Sequence, residues 1–297
     1  MSFAYIITAC FLWGLDPIFR YPLVNGGLSV VGLVFWEHIF MVLFLSRNVS
    51  AVYKTFFRNP DVVIWFLLLG ILSSGLATLT FTWSLSYLNP SLVILLQKLK
   101  TIAGLGLAAV VLGEKASEKF YLWALLAMVG ALLISFPHIE AYWNASPEVA
   151  SEFEEIWVGY LLVGITIIGW GGGTVFARKL MEKGVDSFQL MTGRYSIGLL
   201  TLIPIVLFDT AATEINISQF GTVFMMTAIS GLLAVFLFYK GLAKVSASVT
   251  SVFELFTTFF AVAMSWAVLG HPLSFIQICG ALILSGACFL ISRTHGA

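Results

Sequence analysis

Long apolar segments separated by short polar connections occupy almost the whole chain. An α-helix rises ~1.5 Å per residue, so about 20 apolar residues cross the ~30 Å hydrocarbon core of a bilayer. This criterion predicts ten spans, at residues 3–22, 29–46, 62–85, 91–112, 119–137, 157–177, 187–208, 219–239, 247–269 and 273–292. Glycine, proline and asparagine punctuate the connections, as in Asn25-Gly26-Gly27. The pattern therefore predicts an all-α membrane protein with ten transmembrane helices.

The two halves of the chain correspond at a constant offset of 157 positions, without a gap. The offset relates Trp13 to Trp170, Gly27 to Gly184, Glu37 to Arg194, Gln97 to Glu254 and Gly113 to Gly270. We predict a first five-helix repeat at 1–137, an acidic connecting loop at 138–156 and a second five-helix repeat at 157–297. Five is an odd number, so the second half enters the membrane from the opposite side. Such inverted repeats place a substrate site near the midplane and suit alternating access.

Composition narrows the class of protein further. Hydrophobic residues make up 60% of the chain and charged residues 10%, whereas soluble domains carry about 25% charged residues. Almost nothing is left for a soluble domain, and the formal net charge of +0 argues against a nucleic-acid partner. Cys10, Cys279 and Cys288 lie in apolar runs without metal-ligand spacing, so we interpret them as small hydrophobic side chains and predict no metal site.

Basic residues set the predicted orientation. With the N-terminus in the cytoplasm, most of them fall inside or at the inner interface: Arg47, Lys54, Arg58, Lys115, Lys119, Arg178, Lys179, Lys183, Lys240, Lys244 and Arg293. The acidic central loop then falls outside. We predict cytoplasmic N- and C-termini, contact with membrane lipids, and a monomer or homodimer.

Several motifs resemble the drug/metabolite transporter superfamily, in particular its ten-span EamA-type members. Each half opens with a Trp-Gly pair, Trp13-Gly14 and Trp170-Gly171, and the fourth predicted span runs from Asn89-Pro90 to Gly113-Glu114. The next span has the family's glycine-containing apolar run, around Trp123–Ser135. The second half departs from the pattern, because His271 follows Gly270 and Ala247 takes the place equivalent to Pro90. The resemblance covers nearly the whole chain.

This resemblance implies export or exchange of small metabolites such as amino acids, organic cations, nucleosides or sugar derivatives, and a bacterial inner (plasma) membrane. It does not indicate which substrate applies. The sequence contains no ATP-binding loop of the Gly-x-x-x-x-Gly-Lys type and no intramembrane-enzyme motif. We therefore predict a transporter and not an enzyme, without a cofactor, driven by gradients or exchange.

Glu37 and Arg194, which the repeat relates, are the central candidates for substrate binding. A charge inside hydrocarbon costs several kcal/mol by most estimates, roughly 3 kcal/mol or more, so each should face a wet cavity or a partner. Glu37 is either a site for a substrate cation or proton, or a structural ion pair. Arg194, followed by Tyr195, is either a clamp for a substrate carboxylate or a salt bridge to Glu37 or Asp16.

Three further residues of the first two spans are candidates for proton or ion coupling or for internal pairing. Asp16 precedes Pro17, which frees a helix carbonyl, and Arg20 follows four residues later on the same face. We expect Arg20 to pair with Asp16 and to extend toward the membrane surface. His38 is rotated about 100° from Glu37 on a helix, so the two should not share one narrow cavity.

The fourth span of each half carries the remaining polar candidates. Gln97, Lys98 and Lys100 are predicted to bind substrate, although the two lysines lie about 200° apart and should not share one small face. Glu254, the equivalent of Gln97, is a candidate for proton or ion coupling or a structural partner of these lysines.

Trp13 and Trp170 are predicted cavity walls, since aromatic faces suit an organic cation or a ring-bearing substrate. The glycines around Trp170 allow either close helix packing or a locally unwound helix.

These candidates together favour one function. Glu37 toward an ammonium and Arg194 toward a carboxylate would suit amino acids or related zwitterions. We predict a secondary active transporter, an exporter or exchanger of small polar organic metabolites that works by alternating access. The alternative is a proton-coupled exporter of organic cations or drugs, with Asp16, Glu37 or Glu254 carrying the proton.

Overall fold

The computed structural model of the protein describes residues 2–112, 118–144, 154–242, 247–270 and 272–294. These residues are mostly helical and form no strand. The first half contains α1 (Ser2–Gly14), α2 (Asp16–Asn25), α3 (Val30–Leu45), α4 (Val49–Arg58), α5 (Val63–Leu68), α6 (Ala77–Ser84), α7 (Pro90–Leu96), α8 (Lys100–Leu112) and α9 (Glu118–Asn144). The second half contains α10 (Glu154–Glu182), α11 (Ser187–Val206), α12 (Ile217–Met226), α13 (Ala234–Leu242), α14 (Ala247–Leu269) and α15 (Phe275–Thr294).

Helices of the two halves begin at equivalent positions. The offset of 157 relates the start of α3 to α11, of α6 to α13, of α7 to α14 and of α9 to α15. A π-helical segment lies at the same place in each half, at Leu69–Leu76 and Thr227–Leu233. The caps also correspond, because the side chains of Ser29 and Asp186 accept backbone N–H groups at the starts of α3 and α11. Local sequence signals therefore set the same helix boundaries twice.

Four helical stretches in the described ranges are long and apolar enough to cross a membrane. They are Val30–Arg58, Pro60–Ser84, Glu155–Glu182 and Ile217–Gly241. The second and the fourth of these stretches are related by the repeat offset at both ends. The full set of ten spans and the opposite insertion of the halves stay predictions.

The first helix of each half packs against helices of the other half. Helix α1 of the first half packs against α13 and α14 of the second, and α10 of the second half packs against α6 and α8 of the first. Equivalent helices also meet directly, because α3 contacts α11 and α9 contacts α15. The helices that carry the predicted site residues are thus brought together at the contact between the halves.

Glycines in α10 allow this close packing. The helix is unbroken around Trp170, and a Cβ at Gly171 would lie 2.7 Å from the carbonyl oxygen of Lys100. A Cβ at Gly169 would lie equally close, at 2.7 Å, to the carbonyl oxygen of Leu72. Of the two interpretations given above, close packing is confirmed and local unwinding is wrong.

Several predicted spans differ from the structure in extent or continuity, as Val30–Arg58 does from the predicted 29–46. The first span breaks at Leu15 between α1 and α2, just before Pro17, which lacks the N–H that a continuous helix would use. The fourth span is interrupted by a 3₁₀ turn at Gln97–Leu99. Helix α9, which corresponds to the fifth predicted span, continues past Pro137 to Asn144. The predicted connecting loop at 138–156 therefore begins too early. The connection that remains, residues 145–153, lies outside the described residues, as do Gly113 and His271.

The crossing of α9 and α15 predicts a position-specific effect on stability. A Cβ at Gly130 would lie 2.6 Å from the backbone nitrogen of Leu284 and 2.8 Å from the carbonyl oxygen of Gly280, so Gly130→Ala should push the helices apart. We expect a clearly lower melting temperature in detergent. Gly106→Ala in α8 is the matched control, because no atom lies within 4 Å of its added Cβ. Equal melting temperatures for the two variants would contradict the helix crossing.

Candidate functional site

A cavity of about 520 Å³ lies between the halves. Helices α1, α2 and α3 and the segment around Gln97 line it from the first half, and α10, α11, α13 and α14 line it from the second. All eight residues predicted to bind substrate line this cavity: Trp13, Glu37, Gln97, Lys98, Lys100, Trp170, Arg194 and Tyr195. Asp16 lines it as well. The structure therefore brings together side chains from distant parts of the sequence in one hollow.

Arg20 organises the acidic side of the cavity. Its Nε and Nη2 donate to the two carboxylate oxygens of Asp16 at 2.7 and 2.9 Å, as the spacing of four residues on α2 predicts. Its Nη1 donates to Glu37 Oε2 at 3.0 Å and to Thr82 Oγ1 at 2.9 Å. Ser230 of the second half donates through Oγ to Asp16 Oδ1 at 3.0 Å. One guanidinium thus compensates both carboxylates.

The predicted outward extension of Arg20 is wrong. Only 3% of the residue is exposed, and its side chain turns toward Glu37 on α3 instead of toward the membrane surface. The physical reason is that a second carboxylate and a threonine hydroxyl lie within hydrogen-bonding distance inside the fold. A guanidinium with four hydrogen bonds to three side chains is more stable there than one that pairs with Asp16 alone.

Arg194 lies on α11, away from this ion network. Its Nη2 is 3.5 Å from the backbone carbonyl oxygen of Ser73, and it shares a side-chain hydrogen bond with Tyr239. The guanidinium carbon lies 5.4 Å from the ring centre of Tyr195. Its Nε is buried without a hydrogen-bond partner among the described residues. The alternative of a salt bridge from Arg194 to Glu37 or Asp16 is absent from the described ion pairs, and both carboxylates pair with Arg20 instead.

Of the two remaining candidates for proton coupling, the structure describes the side chain of His38 but not that of Glu254. His38 is fully buried; Nδ1 lies 2.8 Å from the carbonyl oxygen of Val34, and Nε2 lies 3.0 Å from Ser74 Oγ. It does not line the described cavity, whereas its neighbour Glu37 does. Glu254 belongs to α14, but its side chain lies outside the described residues.

Both lysines of the fourth span line the cavity, although their spacing predicts that they do not share one small helix face. Lys98 is buried, with 6% of its surface exposed, and the Nζ of Lys100 lies 6.0 Å from the ring centre of Trp170. The helix is interrupted by the 3₁₀ turn between α7 and α8, and the hollow is wide enough to contact more than one side of this segment. The lysines need not point the same way.

Two equivalent aromatic pairs contribute to the cavity walls. Trp13 packs on Phe238 with ring centres 4.9 Å apart and planes inclined by 51°, and Trp170 packs on Phe81 at 5.1 Å and 48°. The offset of 157 relates Trp13 to Trp170 and Phe81 to Phe238. One pair therefore joins α1 to α13, and the equivalent pair joins α10 to α6. The aromatic frame of the cavity is therefore symmetric between the halves.

The polar groups on this frame are not symmetric. The residues equivalent to Asp16 and Arg20 are Gly173 and Ala177, and the equivalent of Lys100 is Thr257. Among the side chains that the structure describes, five basic residues and two carboxylates line the cavity. The basic residues are Arg20, Lys98, Lys100, Arg178 and Arg194. Of these five, Arg20 already pairs with both carboxylates, and Arg178 pairs with Glu182.

Sequence reasoning missed several cavity residues, and the repeat offset was the signal that could have found some of them. Phe81 and Phe238 are repeat equivalents, and so are Ser73 and Ser230, which contact charged residues of the opposite half. Thr257 and Thr258 of α14 are the repeat equivalents of Lys100 and Thr101, so the same offset could have pointed to them. They were found only through the cavity that they line.

Similarity to known proteins agrees with this arrangement. The model of the EamA-like transporter family matches residues 1–136 and again residues 157–293. The chain belongs to the EamA-like transporter family. This EamA-like protein is 25% identical to the riboflavin transporter ImpX of Fusobacterium nucleatum, over 98% of this chain and 97% of that protein. It is 24% identical to the uncharacterized transporter YetK of Bacillus subtilis, over 60% of this chain and 52% of that protein.

A solved crystal structure shares the fold of this EamA-like protein. The match has a TM-score of 0.61 and 14% sequence identity, and it covers 99% of this chain and 97% of the other. Members of the EamA-like family are integral membrane proteins, and the apolar helices of this chain fit that setting. Family and relatives indicate a transporter of small metabolites.

The ion network predicts a large difference between buried and exposed arginines. Arg20→Gln leaves Asp16 and Glu37 without their shared cation, and removing one partner of a buried pair costs about 3–5 kcal/mol. Arg178→Gln is the matched control, because Arg178 borders the cavity but has a 55% exposed side chain, and exposed pairs such as the one with Glu182 contribute about 1 kcal/mol or less. Denaturant unfolding in detergent should separate the two variants. A similar loss in both would contradict the network.

Proposed function

We propose that this protein is a secondary transporter of small, polar, ring-bearing organic metabolites. The observation that carries the proposal is the cavity between the halves, framed by the two equivalent aromatic pairs Trp13–Phe238 and Trp170–Phe81. A volume of about 520 Å³ is within the range of roughly 300–1,000 Å³ that small-molecule sites occupy. Flat aromatic walls gain most from a substrate that has a ring of its own.

The charges of the cavity support a substrate with acceptor groups. Binding a zwitterion would use Glu37 for the ammonium group, but Glu37 already accepts a hydrogen bond from Arg20. Arg194, in contrast, lines the cavity and pairs with no carboxylate among the described ion pairs. We therefore place an anionic or carbonyl-bearing end of the substrate at Arg194, and we expect amino acids to bind less well than ring compounds that lack an ammonium group.

Riboflavin is the substrate named for a relative that covers nearly the whole chain. Its flat ring system bears carbonyl groups, and its side chain bears hydroxyl groups. Both features match a cavity with aromatic walls, basic side chains and unpaired polar atoms. At 25% identity the exact substrate can differ, so we propose the chemical class and use riboflavin as its first test compound.

Alternating access is the proposed mechanism. Helix α1 packs against α13 and α14 of the other half, and α10 packs against α6 and α8. A rocking movement of one half against the other would therefore open the cavity to one side of the membrane. Asp16 and Glu37 line the cavity and are the proposed proton carriers if transport is coupled to protons. We further propose a bacterial inner membrane with both termini in the cytoplasm, exporter or exchanger activity, and a monomer or homodimer.

Transport in proteoliposomes separates the candidate substrate classes. We expect uptake and counterflow of riboflavin to exceed those of tryptophan, a ring-bearing zwitterion, and of N-methylquinolinium, a ring-bearing cation. A pH-sensitive dye inside the vesicles reports whether protons move with the substrate. Preferred transport of tryptophan would instead support the amino-acid hypothesis, and transport of the cation against protons would support the drug-exporter hypothesis.

Arg194 should select for a negatively charged end on a ring compound. Arg194→Gln should weaken binding of indole-3-acetate by about tenfold or more, because a hydrogen bond to a charged group contributes about 1.5–3 kcal/mol. Binding of the neutral amide, indole-3-acetamide, should change much less. Calorimetry or a thermal-shift titration measures both affinities. Arg47→Gln, an exposed arginine outside the cavity, is the control, and an equal loss for acid and amide would argue against this role of Arg194.

A further inference from the structure

A guanidinium of the first half lies between two neighbouring helices beside the cavity. Arg20 donates through Nη1 to Glu37 Oε2 on α3 at 3.0 Å and to Thr82 Oγ1 on α6 at 2.9 Å. A carboxylate and a hydroxyl from these two helices therefore hold one planar cation. Arg20 and Glu37 both line the cavity, so the first half occupies this part of the wall with a side chain of its own.

The second half has equivalents of the two partners but no cation between them. The offset of 157 relates the two partners of Arg20 to Arg194 and Tyr239, which share a side-chain hydrogen bond. Arg20 itself corresponds to Ala177, whose methyl group forms no hydrogen bond. Arg194, Tyr239 and Ala177 all line the cavity. The cavity therefore borders the position that an arginine side chain fills in the first half.

Shared contacts bring Ala177 and Arg194 to the same side of the cavity. Arg194 Nη2 lies 3.5 Å from the carbonyl oxygen of Ser73. A Cβ at Gly173, which precedes Ala177 by one turn of α10 on the same face, would collide with Ser73 Oγ. Ala177 and Tyr239 also belong to one cluster of buried apolar side chains. Tyr239 is larger than its equivalent threonine and takes some of the space, but Ala177 still lines the hollow.

We propose that a carboxylate of the ligand binds beside Ala177, at the position that the repeat gives to the guanidinium of Arg20. The charge of this group is reversed because the charge of its partner is reversed, from Glu37 to Arg194. The carboxylate oxygens accept from the guanidinium fork of Arg194, and the Tyr239 hydroxyl can donate to them as well. This subsite rests on the proposed function, since it assigns the anionic end of the ring compound that the cavity is proposed to carry.

The variant Ala177→Glu tests this position without a ligand. Its carboxylate and Arg194 repeat the pair of Arg20 and Glu37 with the charges exchanged between the helices, so the two side chains have the same combined length. We expect Ala177→Glu to melt about 2 °C or more above the neutral control Ala177→Gln, because only the carboxylate forms the ion pair. Combining Arg194→Gln with each variant should remove the difference.

Ligand binding to the full chain in nanodiscs tests the same position with indole-3-acetate. Ala177→Glu should weaken this binding at least tenfold more than Ala177→Gln, because its carboxylate competes with that of the ligand for Arg194. Binding of the neutral indole-3-acetamide should weaken about equally in the two variants, since both side chains add the same bulk. Calorimetry measures the four affinities.

A smaller substitution provides a second measurement in case Ala177→Glu does not fold. Ala177→Cys adds a single sulfur atom, and indole-3-acetate should slow its reaction with an anionic thiol reagent at least fivefold. Arg194→Gln should remove this protection. Wild-type protein gives the background reaction of the three native cysteines.

The outcomes separate the subsite from the proposed function. Equal melting temperatures of Ala177→Glu and Ala177→Gln, equal losses of indole-3-acetate binding, or unprotected Ala177→Cys would overturn the subsite and leave transport of ring compounds in place. Wild-type protein that binds neither riboflavin nor indole-3-acetate would overturn the proposed substrate class and the subsite with it.

Discussion

The compensation of charge inside an apolar fold is the constraint on which the cavity depends. Asp16 and Glu37 share the guanidinium of Arg20, which has hydrogen-bond partners on all three of its nitrogens. Without this shared cation, two carboxylates would lie side by side in a medium that solvates neither. The network ties α2 to α3 and, through Ser230, to the second half of the chain. It therefore holds the wall of the cavity in place and also fixes which charges remain for a substrate.

The sequence predicted the positions of the helices better than the breaks and irregular turns within them. Apolar segment length and the repeat offset located the helices, because both reflect local composition that recurs in each half. The sequence indicated a kink near Pro17, where the structure has a break at Leu15. It did not predict the 3₁₀ turn at Gln97–Leu99 or the two π-helical segments. Helix interruptions depend on which neighbouring backbone approaches, as where Gly171 packs on Lys100. That information is not contained in one segment alone.

The sequence predicted which residues line the site but not which of their side chains contact each other. Charged and aromatic residues inside apolar segments are conspicuous, and those predicted to bind substrate line one cavity. Their pairing depends on distances that no periodicity reveals, so Arg20 contacts Glu37, whereas the alternative bridge from Arg194 is absent from the described ion pairs. The symmetric aromatic frame and the asymmetric charges are nonetheless both consistent with the duplication. Packing constrains the rings in both halves alike, whereas the polar positions have diverged, as Lys100 and Thr257 illustrate.

The contact between Arg194 and Ser73 has a consequence for how such a site can vary. The acceptor is the main-chain oxygen of Ser73, within the π-helical segment of the first half, and not the serine hydroxyl. Every amino acid carries that oxygen, so this contact by itself does not require a serine; the buried Ser73 side chain has its own close contact, with Gly173. The feature that positions the guanidinium is the path of the backbone, which is inherited as a shape and not as a residue.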